Sequence, residues 1–267
     1  MPTTKILVPI YQSKLSPLDE FSLKYSLRVL SGRHVCFIAP KSLDYTYYQL
    51  EFPSEEIHLF DDHYFSSISA YNKLMLHRGF YETYAASDFI MIMQTDAIIL
   101  HDRLGFWEET AYDYIGAPWP QGMTRSINVD KFSREGLAKT VRSVVGNGGL
   151  SLRRTRRCLE LLDEFPQAIQ LYLNNEFNED GFFSTLGQLS NNFIIPNELT
   201  AATFSLELAP DYYYNITGQE PMGVHAWWKY NPEFWLLRFE SVPPISDLIN
   251  YLIQENRIEE ALRLQAS

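Results

Sequence analysis

Short apolar runs and longer amphipathic stretches alternate along the first hundred residues. Lys5 to Tyr11 (KILVPIY) and His34 to Ala39 are almost wholly apolar, the second closed by Pro40, and Glu56 to Phe60 is a third such run. Runs of this length, apolar on both alternate faces, read as strands covered on both sides. Ser16-Pro17 supplies an N-cap and a first-turn proline, which predicts a helix to about Leu30. Ser67 to Ala86 carries Ile68, Tyr71, Leu74, Met75 and Phe80 at helical spacing. Asp88 to Gln94 (DFIMIMQ) is again a buried strand, and a second apolar run, Ala97 to Leu100, follows Asp96. Strands alternating with helices predict an α/β fold with a largely parallel sheet. Ligands of such sheets sit beyond the carboxyl ends of the strands, where Tyr11 and Asp96 fall.

The pattern is less regular further on. Pro118 to Val141 is polar and basic, contains Gly122 and Gly136, and shows no clear period. It reads as a long functional loop, with Arg125 to Arg142 expected to be mobile until a ligand orders it. Helices are expected from about Arg154 to Phe165 and from Glu179 to Leu189, with a short strand at Phe193 to Pro196. Beyond Trp228, Pro243-Pro244 precede an amphipathic tail with Leu248, Leu252, Ile258 and Leu262 on its apolar side. The expected organisation is a main domain over residues 1–235 and a helical tail over 236–267.

Composition narrows the partners. At 267 residues the chain can bury a full core. A formal net charge of -11 argues against nucleic acid, whose phosphates need a basic surface. Two basic stretches oppose that trend: Arg125 to Arg142, and Arg153, Arg154, Arg156 and Arg157. They read as solvated faces or as attraction for a diphosphate. Cys36 and Cys158 both lie in apolar surroundings and read as buried thiols of a reducing compartment. The first ten residues hold too short an apolar run for a signal peptide, and no stretch of about 18 apolar residues occurs. The expectation is a soluble cytoplasmic protein, with peripheral association at the inner membrane face compatible with it.

Four local patterns could carry chemistry. Asp96 ends a strand, where an aspartate is a turn residue or a hard oxygen ligand for a divalent cation. His225 stands beside Trp227 and Trp228, a setting for a packed histidine or an imidazole ligand. Gly146-Asn147-Gly148-Gly149 lacks the Lys-Ser/Thr of a phosphate loop, and Ser151 stands where a dinucleotide fingerprint needs glycine. It reads as a tight turn needing positive φ. Asn178-Glu179-Asp180 opens a helix, where acids complement the dipole or place a general base.

In this order and spacing the patterns resemble the glycosyltransferase A (GT-A) fold, with its DxD motif, glycine loop, xED motif and C-terminal histidine. The resemblance runs from Lys5 to about Trp228, and the strings Gly116 to Pro120 (GAPWP) and Gly146 to Arg153 (GNGGLSLR) mark a poorly characterised glycosyltransferase-like group. It implies a mostly parallel mixed sheet flanked by helices, with Asp96 and His225 holding Mn2+ or Mg2+. It also implies donor contacts from Tyr11, Asn72, Lys73, Gln94, Thr95, Asp96, Gly148 and Gly149, the glycines leaving room for donor and acceptor to meet. Trp119 would stack on the acceptor. Asp180 would be the catalytic base, with Glu179 orienting the acceptor or holding the turn. Gln94 replaces the first aspartate of DxD, which puts the ribose contact in question. The implied reaction is inverting hexosyl transfer from a nucleotide-diphosphate sugar, a UDP-sugar foremost, to a saccharide or a lipid-diphosphate-linked saccharide. A retaining transferase and a non-catalytic carbohydrate-binding protein of the same fold are the alternatives.

Overall fold

The computed structural model describes residues 2–127 and 139–266. β1 (Thr4–Pro9) leads into α1 (Pro17–Val29), whose N-cap Ser16 accepts from the Asp19 N–H. β2 (His34–Pro40), α2 (Thr46–Glu51) and β3 (Glu56–Phe60) follow, then a 3-10 turn at Asp62–Tyr64. The helical pattern from Ser67 onward forms two helices, α3 (Ile68–Met75) and α4 (Arg78–Thr83). His77 between them is extended, and its ring accepts from the Gly79 N–H, which caps the second helix and breaks the first. β4 (Phe89–Met93) is buried along its whole length, and β5 (Ala97–Ile99) follows one turn later.

α5 (Leu104–Glu108) and β6 (Tyr114–Ile115) precede a hairpin of β7 (Pro118–Ile127) and β8 (Lys139–Val145). The expected long loop is therefore strand in its described parts; residues 128–138 lie outside them. The strand is hard to see in sequence because its outward positions are polar and its inward ones mixed: Met123, Arg125 and Ile127 alternate with exposed Thr124 and Ser126. Cross-strand pairs such as Ser126 with Thr140 hold its register.

β9 (Leu150–Arg154) runs into α6 (Thr155–Glu164), α7 (Pro166–Asn174) and α8 (Glu179–Leu189). Phe193 to Pro196 is not a strand. Ile194 instead exchanges two hydrogen bonds of 2.8 Å with Asp113, one to its backbone and one to its carboxylate. α9 (Glu198–Phe204), β10 (Ser205–Leu206), α10 (Pro210–Thr217), β11 (Gly223–His225), α11 (Pro232–Leu236), α12 (Ile245–Gln254) and α13 (Ile258–Ala266) complete the chain.

The central sheet has the order β3-β2-β1-β4-β9-β6. Its first four strands are parallel, and β9 runs antiparallel to both β4 and β6. One face packs α3, α4 and α6 to α8 around Tyr81, Phe80, Phe182 and Phe183; the other packs Trp107, Phe37 and Tyr48. A smaller sheet, β10-β11-β5, supports a third apolar cluster with α1 and the two last helices, through Trp227, Trp235, Leu248 and Leu252. Among the described residues no helix is long and apolar enough to cross a membrane. Both cysteines are free and buried.

Candidate functional site

Strand pairing brings the two ends of the motif series together. In the small sheet His225 stands opposite Ala97, which sets its ring beside the residue before it, Asp96. The Ala226 N–H donates to the Asp96 carbonyl, and Ala226 takes a left-handed φ of 51° to make that turn. His225 Nε2 lies 3.1 Å from Asp96 Oδ1 and 3.1 Å from Gln94 Oε1. Asp96 Oδ2 accepts from Lys229 Nζ at 3.0 Å. Burial disfavours a charged imidazole, yet the Asp96 and Glu207 carboxylates push the His225 pKa up to about 10. The same cations, His225 foremost, outweigh burial at Asp96 and hold its carboxyl well below the usual carboxylate range. Glu207 Oε1 lies 3.3 Å from the buried His225 Nδ1, on the side of the ring away from Asp96.

This donor set fits a divalent cation. Two oxygens at 3.1 Å from one imidazole nitrogen have the spacing of adjacent ligands around an ion with bonds of about 2.1 Å. A cation there replaces the proton on His225 Nε2. Another grouping with metal-type donors, Cys36, Glu56 and His58, lies at the opposite end of the sheet, where Lys5 already pairs with Glu56.

The acidic pair is positioned from two sides. Arg153 on β9 is fully buried and donates to Glu179 Oε1 at 2.7 Å, to the Tyr81 hydroxyl at 3.0 Å and to Ser151 Oγ at 3.1 Å. Arg153 is thus neither a solvated face nor a free diphosphate ligand, because its charge is consumed inside the core. Asn72 is also buried: its Oδ1 accepts from the Glu179 N–H, and its Nδ2 donates to Asn178 Oδ1. These contacts fix the first turn of α8, with Glu179 held by Arg153. Asp180 is left to accept from the Gly148 N–H at 3.3 Å and from its own following amide. Burial, reinforced by the Glu179 carboxylate, raises its pKa to about 7.

The glycine loop works differently from the sequence expectation. Positive φ is carried by Asn147, at 60°, whose side chain accepts from the Gly149 N–H. A β-carbon at Gly146 would overlap the Trp119 ring, one at Gly148 the Glu179 carboxylate, and one at Gly149 the His225 ring. The missing side chains make room for the protein's own functional groups, while Gly148 and Gly149 also line the smaller of two adjoining cavities.

Two cavities share a wall here. The smaller, about 340 Å³, is lined by Tyr71, Asn72, Gln94, Gly148, Gly149, Glu207 and His225, with Glu179 and Asp180. The larger, about 660 Å³, lies against Trp119, Met123, Arg125 and Leu208. Asp180, Asn178 and Trp119 border both. Asp96 is set behind the lining, with its carboxylate on His225 and Lys229. Thr95 turns to Asp19, to which its hydroxyl donates at 3.1 Å. Lys73 is exposed and lines neither cavity. Tyr11 is 41% exposed and packs edge-on against Tyr71. Glu207 and Lys229 carry no motif in the sequence, while Arg153 and Asn178, legible there as a surface cation and a helix start, hold Glu179 and Asn72 instead. Lys229, four residues after His225, was the most accessible signal, whereas Glu207 is brought in only by the β10–β11 pairing.

The fold is shared with solved glycosyltransferases. The galactosyltransferase LgtC, solved with donor and acceptor sugar analogues, aligns with a TM-score of 0.51 at 12% identity, over 90% of this chain and 98% of that one. An active-site mutant of LgtC aligns with a TM-score of 0.52 over the same shares. These likenesses establish a GT-A architecture with a central, mostly parallel sheet flanked by helices. No curated protein matches the sequence. The model of a family described as "Protein of unknown function (DUF5672)" matches residues 54–225, a span that includes Asp96, the glycine loop, Asp180 and His225. The chain belongs to the DUF5672 family.

Proposed function

We propose that this protein is a metal-dependent glycosyltransferase that moves a hexose from a nucleotide-diphosphate sugar, a UDP-sugar foremost, to a saccharide acceptor with inversion at the anomeric carbon. The observation that carries this reading is the position of Asp180 on the wall between two cavities, with His225 and Gln94 lining the smaller one. The smaller cavity suits the donor, with its diphosphate toward His225, Gln94 and Lys229. The larger suits the acceptor. A carboxylate between them can take the acceptor hydroxyl proton as that oxygen attacks the anomeric carbon. A pKa raised to about 7 makes it a stronger base than an ordinary aspartate, while leaving it ionised in a large fraction of molecules near neutrality.

Asp96 and His225 would hold the divalent cation, Mn2+ or Mg2+, which when bound supplies positive charge to the departing diphosphate. Lys229 adds a cation from the protein itself, 3.0 Å from Asp96. Glu179 is a positioning residue: pinned by Arg153, it fixes the helix turn that aims Asp180. Calorimetry with UDP, with and without Mn2+, tests the reading. UDP should bind more tightly with the metal, and Asp96→Ala should lose that dependence; because the substitution also strips His225 and Lys229 of their carboxylate partner, thermal unfolding checks that the variant is still folded at the assay temperature. Unchanged metal-linked binding in Asp96→Ala would remove Asp96 from the site. Absence of UDP binding by the wild type would leave a non-catalytic sugar-binding protein as the better reading. The anomeric configuration of the product, read by NMR, tests inversion.

A further inference from the structure

The larger cavity, which suits the acceptor, holds a cation that the transfer itself does not use. Its wall is apolar on the β7 side, through Trp119, Pro120 and Met123, and on the other through Leu208. Among the described residues lining it, Arg125 is the only cation and Asp180 the only anion. Met123 and Arg125 are two apart on a strand, so both side chains leave the same face of the hairpin. Met123 seats against the first turn of α8, where a β-carbon on Gly181 would come within 2.9 Å of its Cε.

Arg125 is held without being neutralised. Its guanidinium lies 3.9 Å from the centre of the Phe177 ring and 6.0 Å from that of Tyr172. Its Nε is buried with no hydrogen-bond partner, and the Tyr172 hydroxyl is its polar neighbour. No carboxylate pairs with it among the described residues, in contrast to Arg153 on Glu179 and Arg154 on Asp113. A half-buried guanidinium, set over an aromatic ring and lacking an anion, is a ready fork for two oxygens of a phosphate or carboxylate. The same guanidinium is exposed to water too little to be well solvated, so an incoming oxyanion replaces little hydration.

Resting on the transferase reading, we infer that the acceptor is an acidic saccharide: its oxyanion, a phosphate or a carboxylate, is bound by Arg125, a ring face lies on Trp119, and a hydroxyl is delivered to Asp180. Arg125 in this assignment positions the acceptor and takes no part in the bond changes. The cavity falls within the size range of pockets that enclose small ligands.

Calorimetry on the whole chain with UDP and Mn2+ present tests this, with four probes: a neutral methyl hexoside, a hexose 1-phosphate, a hexuronic acid and a polyprenyl-diphosphate hexose in detergent. At least one acidic probe should bind about tenfold more tightly than the neutral hexoside, and its affinity should fall with added salt while the neutral probe's does not. Which acidic probe wins names the source of the oxyanion. Arg125→Gln should erase the preference, and Arg125→Lys should keep part of it, since a point charge replaces the fork. The melting temperature of each variant separates a lost contact from a lost fold, and the salt dependence on the wild type reports on the ion pair without any variant. Equal binding of acidic and neutral probes, or a preference that survives in folded Arg125→Gln, overturns the assignment. UDP binding by the wild type is scored apart from these: its absence overturns the transferase reading, while its presence with no acidic preference overturns this inference alone.

Discussion

The sharpest consequence of the geometry concerns Gly149, where one methyl group should disable the site and spare the fold. A β-carbon there would come within 2.5 Å of His225 Cε1 and nearer still to the Nε2 edge of the ring. Non-bonded carbons need about 3.5–4.0 Å, so the ring must retreat by about 1 Å. That displacement removes Nε2 from Asp96 Oδ1, Gln94 Oε1 or both, each now 3.1 Å away. Misplacement of a binding group by about 1 Å can cost on the order of 100-fold in rate. Overpacking of this kind costs roughly 1–3 kcal/mol in stability, which lowers the melting temperature of a chain this size by only several degrees. Gly149→Ala should therefore lose Mn2+-linked UDP binding while remaining folded.

Gly148→Ala is the matched comparison. Its β-carbon would strike the Glu179 oxygen that accepts from Arg153. Separating a buried ion pair costs about 3–5 kcal/mol, and Arg153–Glu179 is more deeply buried than His225–Asp96, so this variant should melt below Gly149→Ala. Calorimetry and thermal unfolding on both proteins make the test. If Gly149→Ala keeps wild-type, metal-dependent UDP affinity, the ring contact is not what sustains the site and the argument fails.

Three further outcomes follow from two other positions, Asp180 and Ala209. Transfer should rise with pH through about 7 as Asp180 ionises, and Asp180→Asn should keep UDP binding, lose turnover by on the order of 100- to 10,000-fold and leave no such rise. A folded pKa raised above the unfolded value of about 3.9 also means that Asp180's contribution to stability falls as pH rises between those two values, a trend that pH-dependent melting should show and Asp180→Asn should flatten. Ala209 is exposed with φ at 48°, so Ala209→Gly should relieve strain and stabilise the protein by up to about 1 kcal/mol; a lower melting temperature would count against strain there.

Local pattern was enough to reveal the parallel half of the sheet. The strands β1, β2 and β4 are buried on both faces over most of their length and so read as nearly continuous apolar runs, and Ser16-Pro17 marks a helix start by chemistry confined to a few neighbouring residues. The β7–β8 hairpin was not legible, because its faces are polar or mixed and its stability lies in cross-strand partners. The division of α3 from α4 rests on one histidine that caps the following helix.

The sequence alone supplied the chemical inventory: a strand-end aspartate, a glycine loop, an acidic pair at a helix start and a distant histidine. Tertiary structure decided what each one touches. Arg153 reads as one of four surface cations until β9 carries it into the core opposite Glu179, and Asn72 reads as a donor contact until α3 and α8 meet and turn its amide to Glu179 and Asn178. The glycines read as space for a ligand, whereas Trp119, Glu179 and His225 fill that space from remote parts of the chain. Periodicity reports how a residue relates to its own strand or helix, while burial of a charge or contact with a glycine depends on what the rest of the chain packs against it.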